Sequence, residues 1–150
     1  MKIYLDVSCL NRPFDDQNQS RIRIETAAVT LIFERIDGGL WQHISSEMAE
    51  IEIDAIPDND RQIRVRMLLP GSQAIMKLNK LTFQRAGDLE GLGFKSADAV
   101  HVAAAEQANV DVFLTCDDRL CRLARRRQRQ LRVQVANPVE WLKEMKDADA

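Results

Sequence analysis

Apolar and polar positions alternate in blocks that predict strands and helices in turn. Residues 2–7, Lys-Ile-Tyr-Leu-Asp-Val, read as a buried strand that reaches Asp6 before breaking at Asn11-Arg12-Pro13, a turn composition. After a polar loop at 14–19, Ile22, Ala27, Ala28, Leu31, Ile32 and Ile36 recur at helical spacing, and Gly38-Gly39 supplies a stop. A second strand is expected at 40–45. Ser46 then caps a helix at 47–56, and Pro57-Asp58 open another that ends before Pro70-Gly71. A short strand at 74–78, a helix at 80–90, an alanine-rich helix at 97–108 begun by Ser96, and a strand at 111–115 follow. The pattern closes with a helix at 118–127, a strand at 131–135 and a last helix opened by Asn137-Pro138.

Strands alternate with helices throughout, and parallel strands need crossover connections, so the expected fold is a three-layer α/β/α domain around a mainly parallel sheet. Composition sharpens this. The chain has 150 residues, 45% hydrophobic and 29% charged, which suits one packed domain over residues 1–150 and excludes a disordered one. No internal repeat or linker divides it. Its longest apolar runs fall well short of the ~20 residues that cross a bilayer. The opening Met-Lys-Ile-Tyr-Leu-Asp also lacks an apolar signal core, so a cytoplasmic protein without membrane contact is expected. Cys9, Cys116 and Cys121 form no C-x-x-C pair, and with only His43 and His101 to help they make no zinc pattern. Reduced thiols are expected, with Cys9 in a packing role.

A net charge of −2 excludes bulk attraction to polyanions, yet Arg119, Arg122, Arg125, Arg126, Arg127, Arg129 and Arg132 crowd one short stretch. Arg119, Arg122, Arg126 and Arg129 recur at i, i+3, i+7 and i+10, one face of a helix that runs so far. Such a face is usually just solvated or favours the helix dipole, but it is also fit to follow a phosphate backbone or an acidic partner.

Functional groups in open α/β sheets gather beyond the carboxyl ends of the strands. Asp6 ends the first strand, and Asp117 follows the strand at 112–115. Asp98 lies in the first turn of the alanine-rich helix, where an unpaired charge beside an apolar face is costly. Glu52 lies one to two turns into the helix after the second strand. These segments, I-Y-L-D-V-S, S-S-E-M-A-E-I-E, K-S-A-D-A-V-H-V-A-A-A and F-L-T-C-D-D-R-L, resemble the PIN-domain nucleases, and most of all their small bacterial VapC-like toxin branch. The resemblance runs from Met1 to about Trp141.

That resemblance implies a metal-dependent endoribonuclease cleaving single-stranded or structured RNA, the toxin of a toxin–antitoxin pair. Asp6, Glu52, Asp98 and Asp117 are then the metal ligands and catalytic set. Counting from Ser46 selects Glu52, with Glu47 and Glu50 as competitors; the T-x-D spacing from Thr115 selects Asp117 over Asp118. RNA is the expected substrate, with Arg119, Arg122 and Arg126 binding it, and an antitoxin is the expected protein partner; a homodimer is left open.

Elementary electrostatics leads to the same chemistry. Carboxylates held a few Å apart repel and partly protonate unless a cation neutralises them, and all-oxygen ligands select Mg2+ or Mn2+ over zinc. Such an ion acidifies a bound water and needs no covalent nucleophile. Ser8 and Thr115, each two residues from a proposed ligand, suit supporting roles. His101, three residues beyond Asp98, reads as a satisfied buried histidine, and Trp41 and Trp141 as packing residues. The competing reading is a catalytically weak RNA- or partner-binding module with the same fold. A haloacid-dehalogenase-type phosphotransferase would need a second aspartate where Ser8 stands, and a phosphorylated receiver domain needs more than Asp6 at the first strand and a lysine at the last.

Overall fold

The computed structural model describes residues 1–148. Five strands, β1 (Lys2–Leu5), β2 (Gln42–Ser46), β3 (Ile75–Met76), β4 (Val112–Leu114) and β5 (Gln134–Ala136), form one sheet in the order β3-β2-β1-β4-β5. Every pairing is parallel. The helices are α1 (Val7–Asn11), α2 (Ser20–Asp37), α3 (Glu47–Asp54), α4 (Asn59–Arg66), α5 (Lys80–Gly91), α6 (Ser96–Gln107), α7 (Asp118–Arg126) and α8 (Pro138–Ala148).

Both faces of the sheet are covered, which is why its central strands are apolar without interruption. Side chains alternate across it. Tyr4 and Phe113 point into one core with Ala86 and Leu89 of α5, Ala99 and Val102 of α6, and Leu120 and Ala124 of α7. Ile3, Leu5, Val112 and Leu114 point into the other, with Val29 and Ile32 of α2, Ile53 of α3 and Trp141 of α8. Tyr4 stacks on Phe113 with ring centroids 5.0 Å apart, joining β1 to β4 within the first core. Trp41 meets Trp141 edge to face at 5.1 Å, a packing contact as expected.

Local signals set the element ends. Ser46 Oγ accepts from Met48 N at 3.2 Å and starts α3. Asp58 Oδ1 accepts from Arg61 N at 2.9 Å and starts α4. Asn79 and Thr82 exchange hydrogen bonds at the head of α5, each bond 3.1 Å long. Gly38 closes α2, and Gly39 turns the chain toward β2 at φ +81°, a conformation that glycine adopts without strain.

Several expected boundaries move. The first strand, expected at 2–7, ends at Leu5, and α1 takes up Val7–Asn11; the second, expected at 40–45, runs Gln42–Ser46, and the helix expected at 47–56 ends at Asp54. The strand expected at 131–135 begins only at Gln134, opposite Val112. A 3-10 turn at Gln128–Gln130 delays the chain, Arg132 N is held by Glu106 Oε2 at 2.8 Å, and Val133 is buried under the sheet. That turn also ends α7 at Arg126, so Arg129 leaves the arginine row while Arg119, Arg122 and Arg126 stay on the helix, all exposed. The strand expected at 74–78 reduces to the two residues of β3. No helix among the described residues is long and apolar enough to cross a membrane.

Strand order runs outward from β1 in both directions, so the crevice at the carboxyl ends of β1 and β4 is the switch point where such sheets hold ligands.

Candidate metal centre

Asp6 is the first residue after β1. Its N–H still pairs with Leu114 O at 2.9 Å, so its side chain stands at the last rung of the β1–β4 ladder. Oδ2 accepts two hydrogen bonds, from Thr115 Oγ1 at 2.7 Å and Ser8 Oγ at 2.9 Å. Oδ1 makes none among the described residues. Ser8 Oγ in turn accepts from Cys116 N at 3.0 Å, and Thr115 Oγ1 accepts from Asp117 N at 3.1 Å, so the two hydroxyls tie the loop after β4 to that after β1.

Glu52 reaches the same point from α3. Its Oε1 contacts His101 Nε2, and Asp6, Glu52 and His101 each bring a ligand atom within 4.8 Å of the others. The two competing glutamates lie apart from this group. Glu47 Oε1 accepts from Leu78 N at 2.7 Å and ties α3 to the chain beyond β3. Glu50 makes no hydrogen bond or ion pair among the described residues.

Asp98 is half-buried in the first turn of α6. Burial, then the charges of Asp6 and Asp117, raise its pKa from 3.8 to about 6; nearby His101 counteracts this and Glu52 adds to it. Asp117 sits at the rim as the N-cap of α7, with Oδ1 accepting from Arg119 N at 2.9 Å and Leu120 N at 3.3 Å. Its neighbour Asp118 is committed elsewhere: it forms a two-pronged pair with Arg21 of α2, both bonds 2.6 Å, which holds its carboxyl below the usual range.

The donor chemistry suits a small hard cation. Two ligands on opposite sides of a magnesium ion lie about 4.2 Å apart, given metal–oxygen distances of ~2.1 Å, and the ligand atoms here lie within 4.8 Å of one another. The imidazole of His101 feels the charges of three carboxylates, Asp6, Glu52 and Asp98, and the raised pKa of Asp98 reflects its burial first and the charges of Asp6 and Asp117 after that.

His101, left out of the acidic set, lies against it. It is indeed buried and satisfied, but its partners are Glu52 and Tyr4, whose Oη lies 2.6 Å from Nδ1. Burial opposes its protonation; the bond to Glu52 and the charges of Asp6 and Asp98 outweigh this and raise its pKa. The only sequence signal was the i, i+3 spacing from Asp98, which placed it on the right face. The thiols are free, and Cys9 fills space, its Sγ 3.4 Å from Leu114 O and 3.7 Å from Cys116 Sγ; burial pushes the Cys9 thiol well up.

No protein-family model matches the sequence, and no curated protein is significantly similar to it. Solved structures are similar in fold. FitAcB from Neisseria gonorrhoeae superposes with a TM-score of 0.59 at 16% identity, over 91% of this chain and 97% of that one. FitAB bound to an IR36 DNA fragment gives 0.61 at 16% identity, over 91% and 95%. VapBC2 from Rickettsia felis, bound to a DNA fragment from its promoter, gives 0.60 at 11% identity, over 91% and 98%. With its all-parallel five-stranded sheet between two helical layers and its agreement with these structures over nine-tenths of its length, the chain has the PIN-domain fold.

Proposed function

We propose that this chain is a metal-dependent endoribonuclease, the toxin of a toxin–antitoxin pair, with Asp6, Glu52, Asp98 and Asp117 as its acidic set. One observation carries the reading: Asp6 and Glu52 bring carboxylate oxygens within 4.8 Å of each other at the sheet's switch point, beside a half-buried Asp98 whose pKa burial, then the charges of Asp6 and Asp117, raises to about 6. Crowded carboxylates of this kind are costly, and they recur where a cation is held.

Asp6 and Glu52 would hold the ion with Asp98, and Asp117 would stand at the rim toward the substrate. The set of oxygen donors favours Mg2+ or Mn2+. A bound ion of this type supplies an acidified water and positive charge beside a phosphodiester. Ser8 and Thr115 fix the Asp6 carboxylate, leaving Oδ1 to face the cation. Asp98, whose pKa is raised to about 6, would be ionised in order to serve as a ligand, so its proton would be released as the ion is bound. Arg119, Arg122 and Arg126 are exposed on α7, directly after Asp117, and would bind the RNA backbone.

The likeness in fold to the FitAB and VapBC2 assemblies supports a second protein, an antitoxin, as partner. A homodimer and a cytoplasmic location fit the same reading. Cleavage of a single-stranded RNA by purified protein with manganese tests the proposal. Asp6→Asn and Asp98→Asn should abolish cleavage while the fold persists; equal cleavage by all three proteins would mark a contaminant and favour a binding module.

A further inference from the structure

Behind Glu52 runs a chain of buried hydrogen bonds that the acidic set does not explain. Met48 N lies 3.2 Å from Ser46 Oγ, Ser46 Oγ 2.7 Å from Tyr4 Oη, and Tyr4 Oη 2.6 Å from His101 Nδ1, while Nε2 touches Glu52 Oε1. Ser46, Tyr4 and His101 are at most 1% exposed, and the Tyr4 and His101 rings meet edge to face at 5.7 Å. Four elements contribute: β1, the end of β2, α3 and α6.

The protons along this chain can be counted. Met48 N–H can only donate, so Ser46 Oγ accepts there and has its own proton for Tyr4 Oη. A phenol is protonated at neutral pH, so Tyr4 can give its proton to Nδ1. A neutral ring then carries its one proton on Nε2, facing a carboxylate that can only accept. If the ring is doubly protonated, the Tyr4 and Ser46 protons turn the other way, and Nε2 carries a proton still. With Glu52 ionised, as a metal ligand must be, each arrangement that satisfies all four contacts leaves Nε2 donating to Glu52, with no lone pair for a metal.

We infer that His101 is a positioning residue of the metal centre and not one of its ligands: Nε2–H holds one oxygen of Glu52, and Tyr4 and Ser46 hold the ring. The inference rests on the reading of Asp6 and Glu52 as a metal site. It explains how a flexible glutamate side chain is kept beside Asp6, and it keeps the donor set all oxygen, as hard cations prefer.

Nitrogen NMR of metal-free protein with ring-labelled histidine should show a His101 proton on Nε2 that persists in water, and the signal should vanish in Glu52→Ala. A bare Nε2 overturns the inference. In the manganese-loaded protein, electron-spin-echo spectra should lack coupling to a His101 nitrogen; a coupling that disappears in His101→Gln overturns it too. Manganese affinity should fall about 10- to 100-fold in His101→Leu. It should recover substantially in His101→Gln, whose amide N–H reaches toward the Nε2 position, and fall part-way in Tyr4→Phe. Metal-free melting of each variant separates a loosened core from a misplaced carboxylate. Tight binding by the wild type with equal binding by His101→Leu defeats this inference alone, whereas a wild type that binds no manganese defeats the metal site beneath it.

Discussion

Thr115 donates from Oγ1 to Asp6 Oδ2 at 2.7 Å, joining the ends of β1 and β4 across 109 residues of chain. Both residues are buried, so the bond works where water competes little. It uses the carboxylate oxygen that Ser8 also holds, which orients Asp6 without occupying Oδ1.

Thr115→Val keeps the shape and removes the donor. The variant should fold, lose about 1–3 kcal/mol of stability and bind manganese roughly 10- to 100-fold more weakly. Isothermal titration beside a urea melt checks both numbers; unchanged affinity would mean that Ser8 alone orients Asp6.

Manganese should raise the melting temperature of the wild type, by the equivalent of about 2.7 kcal/mol at one hundred times the dissociation constant, and EDTA should reverse the gain. Among the glutamates, Glu52→Gln should suppress this response most. Glu50→Gln should leave it intact, and so should Glu47→Gln, whereas Glu47→Ala should lower the metal-free melting temperature, because it removes the acceptor for Leu78 N. A response that survives in Asp98→Asn and Glu52→Gln would count against the site.

Two groups titrate in opposite senses under acid. Burial lowers the pKa of His43 from 6.5 to about 4, so between those values the unfolded chain takes up a proton that the folded one refuses. Acidification through that window costs on the order of 3 kcal/mol. Asp98, raised from 3.8 to about 6, does the reverse: the folded state holds the extra proton, and stability falls as pH rises through the window. Metal-free Asp98→Asn should therefore be more stable than wild type at pH 7 and lose that advantage toward pH 4, while His43→Gln should resist acid better than wild type. Urea melts across this range decide, and a parallel pH dependence in all three proteins would refute both assignments.

RNA affinity should depend on salt through the arginines. Each phosphate neutralised on a single strand contributes about 0.7 to the slope of log affinity against log salt, so Arg122→Ala with Arg126→Ala should flatten it by roughly 1 to 1.5. An unchanged slope would leave these side chains to solubility or to an acidic protein partner.

Much of the architecture was readable because its signals are local. Strand alternation, the caps at Ser46 and Asp58, the stop at Gly38-Gly39 and the strand-end position of Asp6 all depend on neighbours within a few residues. β5 was misplaced because its start is decided by Glu106 and by the register against Val112, both distant in sequence. The partners of His101 were hidden for a similar reason. A histidine on an apolar helix face looks the same whether it meets a core oxygen or a site glutamate, and Tyr4 lies 97 residues away.

The thiols of Cys9 and Cys116 lie between the Asp6 and Asp117 loops, sealed from solvent and 3.7 Å apart. A buried thiol reacts with a disulfide reagent only when its surroundings open, so the two serve as an internal clock for the breathing of the crevice. Cys121, only partly covered, reports the protein's surface at the same time. A cation that bridges Asp6 to its neighbours would slow that clock at Cys9 and Cys116 and leave Cys121 to run at its former rate.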